Sequence, residues 1–265
     1  MKILVTIKQV PDSWAEKKLS ATKLLDRESA DAVLNDLDEY AVEEALRIVE
    51  ANGGAEAGHT ITLVSMGPER AQEALRKGLS MGADNALHIN DGALAGSDAL
   101  STSRVLAEAI KKENPDLILT GTESTDARMS VVPSMLSERL NLPHLSFAGE
   151  VSVDVSAGKV RSKRMTDEGV ETMEAPLPAI VTVIEKINEP RYPSFKGIMA
   201  AKKKPITTVT LADLGISSSE VGGAGAWSEV NDFASAPARG AGVKVVDEGS
   251  AGNALVDFLA EKRLI

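Results

Sequence analysis

Between Ile3 and Pro143 a short apolar run is followed, again and again, by an amphipathic stretch of helical period. No other feature constrains the chain as much. The runs "ILVTIK", "HTITLVSM", "NALHIND" and "DLILT" are of strand length and too short for helices. Between them, "DEYAVEEALRIVEAN" brings Tyr40, Val42, Ala45, Leu46 and Val49 to one helical face, with Asn35 or Asp36 expected at its N-cap. "ERAQEALRKGLSMGAD", "DALSTSRVLAEAIKKENP" and "MSVVPSMLSERLNLP" follow as helices; Pro115 stops the second of these and Pro133 sits in the first turn of the third. Strands alternating with helices of this length make βαβ units, hence a parallel sheet with helices on both faces. The stretch from Val10 to Asp38 has no clear period and reads as a long functional loop or hairpin.

The pattern changes after Pro143. His144 is expected in a turn. From Ala148 to Glu185 the residues alternate with period two around Gly turns at Ala157-Gly158 and Glu168-Gly169, which is antiparallel strand chemistry ending in the apolar run "AIVTVI". "ITTVTLADLGI" is a further strand and short turn. The residues from Ser217 onward are rich in Gly, Ser and Ala and end in an amphipathic helix, "GNALVDFLAEKRLI". Such an arm has little core of its own and must fold back or lie on a partner. The expected organisation is an α/β domain over 1–216, with an antiparallel hairpin region at 147–185 and a distinct loop segment at 188–204, then an extended C-terminal arm over 217–265.

Composition excludes several chemistries. There is no cysteine, so disulfides and thiolate metal sites are ruled out, and three histidines make a His-based metal centre unexpected. The formal charge of −10 disfavours nucleic-acid binding by the surface as a whole. The opening "MKILVTIKQVPDSW" is too short an apolar run for a signal peptide or a membrane span, so a cytoplasmic protein without direct membrane insertion is expected.

In an open parallel sheet ligands sit at the carboxyl ends of the strands. Here those ends are the loop after Ile7, the segment Ser65 to Glu69, and "TGTESTDARM" from Thr120 to Met129. The backbone of the last, with Ser124, Thr125 and the following helix dipole, could hold a phosphate; taken alone it fits an ordinary βα turn better, and no G-x-G-x-x-G or Walker motif supports it. No nucleophile–base constellation is visible. His59 and His88 read as structural. Asp38, Glu39, Glu43 and Glu44 read as a solvated, dipole-compatible helix face. Arg128, Arg161 and Arg164 are lone cations, fit for a phosphate or for the surface.

The segment "NEPRYPSFKGIMAAKKKP", Asn188 to Pro205, is basic, stiffened by proline and carries two aromatics inside an acidic chain. Its lysines fit a nucleic-acid patch, a solvated helix end or a docking surface. Pro190, Arg191, Tyr192, Phe195, Ile198, Met199, Lys202 and Lys203 together favour protein recognition, with apolar anchors inside a basic rim.

These motifs carry a family resemblance. "KILVTIKQVPD", "NDLDEYAVEEA", "MGPERAQEALRKGLSMGAD", "LPAIVTV", "NEPRYPSFKGIMAAKKKP" and "LADLGI" stand in the order and approximate spacing found in the β subunits of electron transfer flavoproteins, which the chain resembles from end to end. The resemblance implies a Rossmann-like, adenine-nucleotide-binding sheet and a heterodimer with an α subunit. It implies one FAD held mainly by α and a redox-inert AMP in β. Electrons would come from acyl-CoA and related dehydrogenases and leave to a membrane quinone oxidoreductase, with this chain as carrier and no catalytic residue of its own. Carried over by position, AMP would meet Thr6, then Asn35, Asp36, Leu37 and Asp38, then Met66. It would also meet the loop formed by Thr122, Glu123, Ser124, Thr125, Asp126, Ala127, Arg128, Met129, Ser130, Val131, Val132 and Pro133. Ser13 and Trp14 would lie near the flavin, and Asn188 to Lys204 would be the recognition loop. Phe195 stands where members commonly have Leu, and a Gly usual late in the Thr122–Pro133 loop is absent. Two alternatives stay open: a bifurcating β subunit with a second FAD reacting with NADH, and a nucleotide-binding regulatory module.

Overall fold

The computed structural model describes residues 1–234, 237, 238 and 240–265. Two compact units divide the chain, Met1–Val230 and Asn231–Ile265.

In the first unit the expected alternation is present. Strand β1 (Lys2–Thr6) is followed by the short strands β2 (Gln9–Pro11) and β3 (Ala32–Leu34), helix α1 (Asp36–Ala51), β4 (Thr60–Met66), α2 (Gln72–Met81), β5 (Asn85–Ile89), α3 (Ala99–Glu113), β6 (Leu117–Gly121) and α4 (Val132–Leu140). After these come β7 (His144–Asp154), β8 (Lys159–Thr166), β9 (Gly169–Pro176), β10 (Ala179–Val183), α5 (Phe195–Ala201), β11 (Ile206–Val209) and the short helices α6 (Leu211–Leu214) and α7 (Gly222–Gly225). Helix α8 (Ala251–Glu261) belongs to the second unit.

A nine-stranded sheet runs β11-β5-β4-β1-β6-β10-β7-β8-β9. From β11 to β7 neighbouring strands are parallel; β8 and β9 add an antiparallel meander. Odd residues of the central strands (Ile3, Val5, Ile61, Leu63, Leu117, Leu119) pack under α1 and α2, and even ones (Leu4, Val64, Ile118) under α3 and α4. This is the period-two consequence of strands buried on both faces. β1 lies between β4 and β6, because the chain builds β4 and β5 on one side of β1 and then crosses to β6 on the other. That reversal opens a crevice at the carboxyl ends of β1 and β6.

Three expectations need correction. The run "AIVTVI" does not close the meander: β10 inserts parallel between β6 and β7, fully buried, because its unbroken apolar residues suit a two-sided core. His144 is no turn residue; it opens β7 and its Nε2 lies 2.6 Å from Thr182 Oγ1. The long period-free stretch is a hairpin, one of the two forms expected for it, necked by the antiparallel pair β2–β3. Residues beyond Ile216 stay with the sheet as far as Val230: Val221 is buried, the Gly222 N–H donates to Ser97 Oγ at 2.9 Å and the Trp227 N–H to Asp98 Oδ2 at 2.8 Å. A Cβ on Gly222 would lie 2.1 Å from the Ala93 carbonyl oxygen, so only glycine fits there.

Helix α8 carries Leu255, Val256 and Phe258 and buries none of its residues. Among the described residues no helix is long and apolar enough to cross a membrane.

Candidate functional site

The crevice is built from three chain segments that meet where β1 and β6 end. The Lys8 backbone N–H donates to Asp38 Oδ2 at 2.8 Å, joining β1 to the first turn of α1. Asn35 stands at the N-cap of α1, but its side chain makes no cap bond. It reaches across instead: Nδ2 donates to the Glu123 carbonyl at 2.9 Å, and Oδ1 accepts from the Thr125 N–H at 3.0 Å. Thr122 Oγ1 donates to the Val183 carbonyl at 2.7 Å, fastening the same loop to β10. Gly121 makes the approach possible, since a Cβ there would lie 2.6 Å from Asp38 Oδ1 and 2.9 Å from the Leu37 carbonyl carbon.

Charge gathers in this crevice. The Asp126 side chain has no exposed surface; its Oδ1 accepts from Lys8 Nζ at 2.9 Å, and Arg27 Nη2 lies 2.6 Å from Oδ2 in an ion pair rather than an aligned hydrogen bond. Burial by itself would raise the Asp126 carboxyl, but Lys8, the Ser124 hydroxyl and Arg27 outweigh it and hold the group well below the usual carboxylate range. Burial pushes Lys8 down, with Asp126 opposing. Burial pushes Asp38 up to about 7 against the Asn35 and Lys8 hydrogen bonds.

Two hydroxyls bear on whether a ligand belongs here. Thr125 Oγ1, in the crevice loop, and Ser65 Oγ, near the end of β4, are buried without a partner. Buried polar atoms are almost always satisfied, so each calls for a polar ligand or a water. Arg128 (φ 50°) and Ser130 (φ 54°) hold left-handed backbone, a strain that tends to persist at functional loops. The N-terminus of α4 has no side-chain cap, leaving its first N–H groups open to an anion. The donor set therefore fits a phosphorylated nucleotide. No cluster of three His, Cys, Asp or Glu suited to a metal exists among the described residues.

Of the residues expected to meet AMP, the crevice brings together Asn35, Leu37, Asp38 and the stretch Thr122 to Asp126, with Thr6 at the end of β1. Met66 packs against the hydrophobic core on the α3–α4 face. Asp36 points away, into a separate cleft of about 440 Å³ that it shares with Ser13, Trp14, Glu39, Glu73 and Lys77. Ala127, Arg128, Met129 and Ser130 form the exposed crest of the loop. Lys8, Ser65 and Gly121 lie within the strand-end segments expected to meet a ligand but were not singled out there, and Arg27 was not anticipated. Lys8 had a signal, a charge directly behind a buried strand; Arg27 had none. Arg161 and Arg164 lie on β8, paired with Glu174 and stacked 5.7 Å from the Phe147 ring centroid respectively, so neither cation is free for the crevice.

The basic segment is a braced platform rather than a plain loop. Its centre is helix α5, whose Ser194 N-cap accepts from the Gly197 N–H at 3.0 Å. A Cβ on Gly197 would fall 2.6 Å from the Ser80 carbonyl oxygen, so α5 seats directly on α2. Arg76 Nη1 donates to the carbonyls of Ala201 and Lys204, at 2.6 and 2.7 Å. Lys204 is turned inward and caps the end of α2, donating to the carbonyls of Leu79, Gly82 and Ala83. Arg191 also faces inward, forking onto Glu43 (2.7 and 2.9 Å) and Glu50 (2.6 and 3.1 Å), and Asn188 Nδ2 donates to Glu44 and to the Tyr40 carbonyl. The expected solvated face of α1 is thus corrected: Glu43 and Glu44 are each 5% exposed, and Asp38 is buried too. Glu43 and Glu44 hold the segment's only Arg and Asn in place. What remains outward is Tyr192 (94% exposed), Phe195 (80%), Ile198, Met199, Lys202 and Lys203.

Trp14 is 95% exposed at the rim of the 440 Å³ cleft. A smaller cleft of about 250 Å³, sharing Asp36, Glu39 and Lys77, runs on to Pro190, Arg191 and Tyr192. Trp14 and the platform thus border neighbouring clefts that share Asp36, Glu39 and Lys77.

Comparison with known proteins shows the family. Residues 22–214 match the family model of the electron transfer flavoprotein domain. The electron transfer flavoprotein subunit beta of Mycobacterium bovis is 50% identical over 265 residues, covering 99% of each chain. That of Megasphaera elsdenii is 34% identical over 270 residues, covering 99% of this chain and 97% of its own. The caffeyl-CoA reductase-Etf complex subunit CarD of Acetobacterium woodii is 35% identical over 268 residues, covering the whole of both.

Proposed function

The chain belongs to the electron transfer flavoprotein family, among its β subunits, and on that premise we propose that it carries electrons as half of a heterodimer with an α subunit. FAD held mainly by α takes up and passes on the electrons when bound. This chain supplies the docking platform, one wall of the flavin's surroundings at Ser13 and Trp14, and a crevice for AMP between β1 and β6. Its partners are acyl-CoA and related dehydrogenases as donors and a membrane quinone oxidoreductase as acceptor, met in the cytoplasm. The arm beyond Val230, ending in the unburied α8, packs on the α subunit.

The observation that carries the docking role is the platform itself. Phe195 and Tyr192 project into solvent from a segment whose backbone is fixed by Arg191, Asn188, Arg76 and Lys204. A preorganised apolar anchor loses little freedom on binding, which is how few residues carry most of an interface's energy. Phe195→Ala in the heterodimer is expected to slow electron transfer from a dehydrogenase roughly 10- to 100-fold at limiting concentration, with FAD content unchanged. Unchanged kinetics would remove the anchor role.

The AMP assignment is supported by the orphan hydroxyls of Thr125 and Ser65 and by the cations at Asp126. Within the crevice Lys8 and Arg27 supply positive charge, the α4 N-terminus supplies N–H donors, and Asn35 holds the loop to α1. A relative named as part of a reductase complex sustains a second reading, a bifurcating subunit with FAD in place of AMP. Denaturing the purified heterodimer and quantifying released nucleotides separates them. One FAD and one AMP supports the carrier; two FAD and no AMP replaces it with the bifurcating form; no flavin at all defeats both.

A further inference from the structure

The segment between β2 and β3, Asp12 to Asp31, lies against the crevice loop and is tied to it at two successive residues. Its Arg27 pairs with Asp126, and its Lys17 Nζ donates to the Thr125 carbonyl. At the neck the Asp12 N–H donates to the Asp31 carbonyl at 2.8 Å, and Leu19 and Leu25 form an isolated bridge. The Arg27 backbone is itself fixed, because Arg70 Nη1, from the approach to α2, donates to its carbonyl at 3.0 Å. The acceptor is fixed as well, with Lys8 holding Asp126 from the end of β1. The residue beside Asp126, Thr125, carries the buried unpartnered hydroxyl.

From this geometry we propose that Arg27 is a positioning residue that latches the 12–31 segment shut over the crevice loop and so sets how fast a nucleotide leaves. The gating half rests on the nucleotide reading above. The segment has little buried apolar surface; Leu24 is about half exposed. A stretch of this kind opens locally unless a few polar ties hold it. Of these two ties, Arg27–Asp126 joins charges with a fully shielded carboxylate, whereas Lys17 reaches a backbone carbonyl from solvent. Removing Arg27 therefore releases the segment while leaving Lys8–Asp126 intact and the crevice charge-balanced.

The test uses the purified heterodimer. Arg27→Gln is compared with the unaltered protein in two measurements: thermolysin cleavage at Leu24 or Leu25, and exchange of the bound nucleotide against labelled AMP. Cleavage and exchange are both expected to rise roughly tenfold, the effect of losing one charge-assisted contact, with Arg27→Lys recovering part of each. Asp126→Asn should raise both at least as much. Cleavage of Arg27→Gln at the unaltered rate overturns the latch. Faster cleavage with unchanged exchange overturns the gating. A heterodimer with no releasable nucleotide defeats the nucleotide reading and the gating with it, while the cleavage rates still report separately on the latch.

Discussion

Asp38 is a carboxylate kept under a burden, and replacing it by Asn should show how large that burden is. Its ordinary value is 3.8, and burial pushes it up to about 7 in the fold. The folded state thus holds this proton more tightly than the unfolded chain does. Below about pH 3 both states are protonated and there is no penalty. As pH rises through the window from about 4 to 7, the native state alone must resist ionisation, and stability falls; above 7 the penalty is complete. About 3 units at 1.36 kcal/mol each gives roughly 4 kcal/mol as an upper bound. Asn keeps an oxygen for the Lys8 N–H, so the hydrogen bond survives. Asp38→Asn should therefore match the parent near pH 3, already lead it by about 1 kcal/mol at pH 4.5, and exceed it by about 2–4 kcal/mol at pH 8. Denaturant titrations of the full chain at several pH values give the difference curve. Other groups titrate in this range: burial with a contribution from Arg164 lowers His144, and burial raises Glu39 and Glu44. They are common to both proteins and cancel in the difference. A difference that is flat with pH would mean that Asp38 is not shielded as the fold places it.

Gly121→Ala should destabilise by about 1–3 kcal/mol through overpacking against Asp38 and Leu37, read by denaturant midpoint; an unchanged midpoint would mean α1 does not press on β6. Glu43→Gln breaks one fork of Arg191, and because Arg191 is about one-third exposed the expected loss is about 1–2 kcal/mol, below that of a fully buried pair. The same variant should also slow reduction by a dehydrogenase, whereas normal coupling would show that the platform needs no brace. Lys204→Gln should lower thermal stability by a few degrees, while Lys202→Gln and Lys203→Gln leave it unchanged, because only Lys204 caps α2.

The parallel half of the fold was legible because its strands are buried on both sides and its helices are amphipathic, so each period is strong. Antiparallel β7, β8 and β9 announced themselves by alternation and Gly turns. β10 did not announce its partner: "AIVTVI" records burial, and burial alone does not say which strands flank it. The polar residues were harder still. Glu43 and Glu44 look like any acidic helix face until Arg191 and Asn188, about 145 positions later, arrive to pair with them. Asn35 has the composition of an N-cap, yet its side chain serves the Glu123–Thr125 loop, a long-range use that local propensity cannot encode. Trp14, Tyr192 and Phe195 were visible because aromatics are scarce here, and their exposure gives each a reason to be present.

Helix α1 touches both parts of the molecule assigned a role. Its first turn, with Asn35 and Asp38, closes the crevice; its middle and last turns, with Glu43, Glu44 and Glu50, carry the platform. At 1.5 Å per residue, the distance from Asn35 to Glu50 is about 22 Å along one stiff rod. Anything seated in the crevice sets the anchorage of that rod's near end and, through it, the footing of surface residues it never contacts. A ligand bound there would then act as a keystone, and its loss would be felt first as imprecise docking.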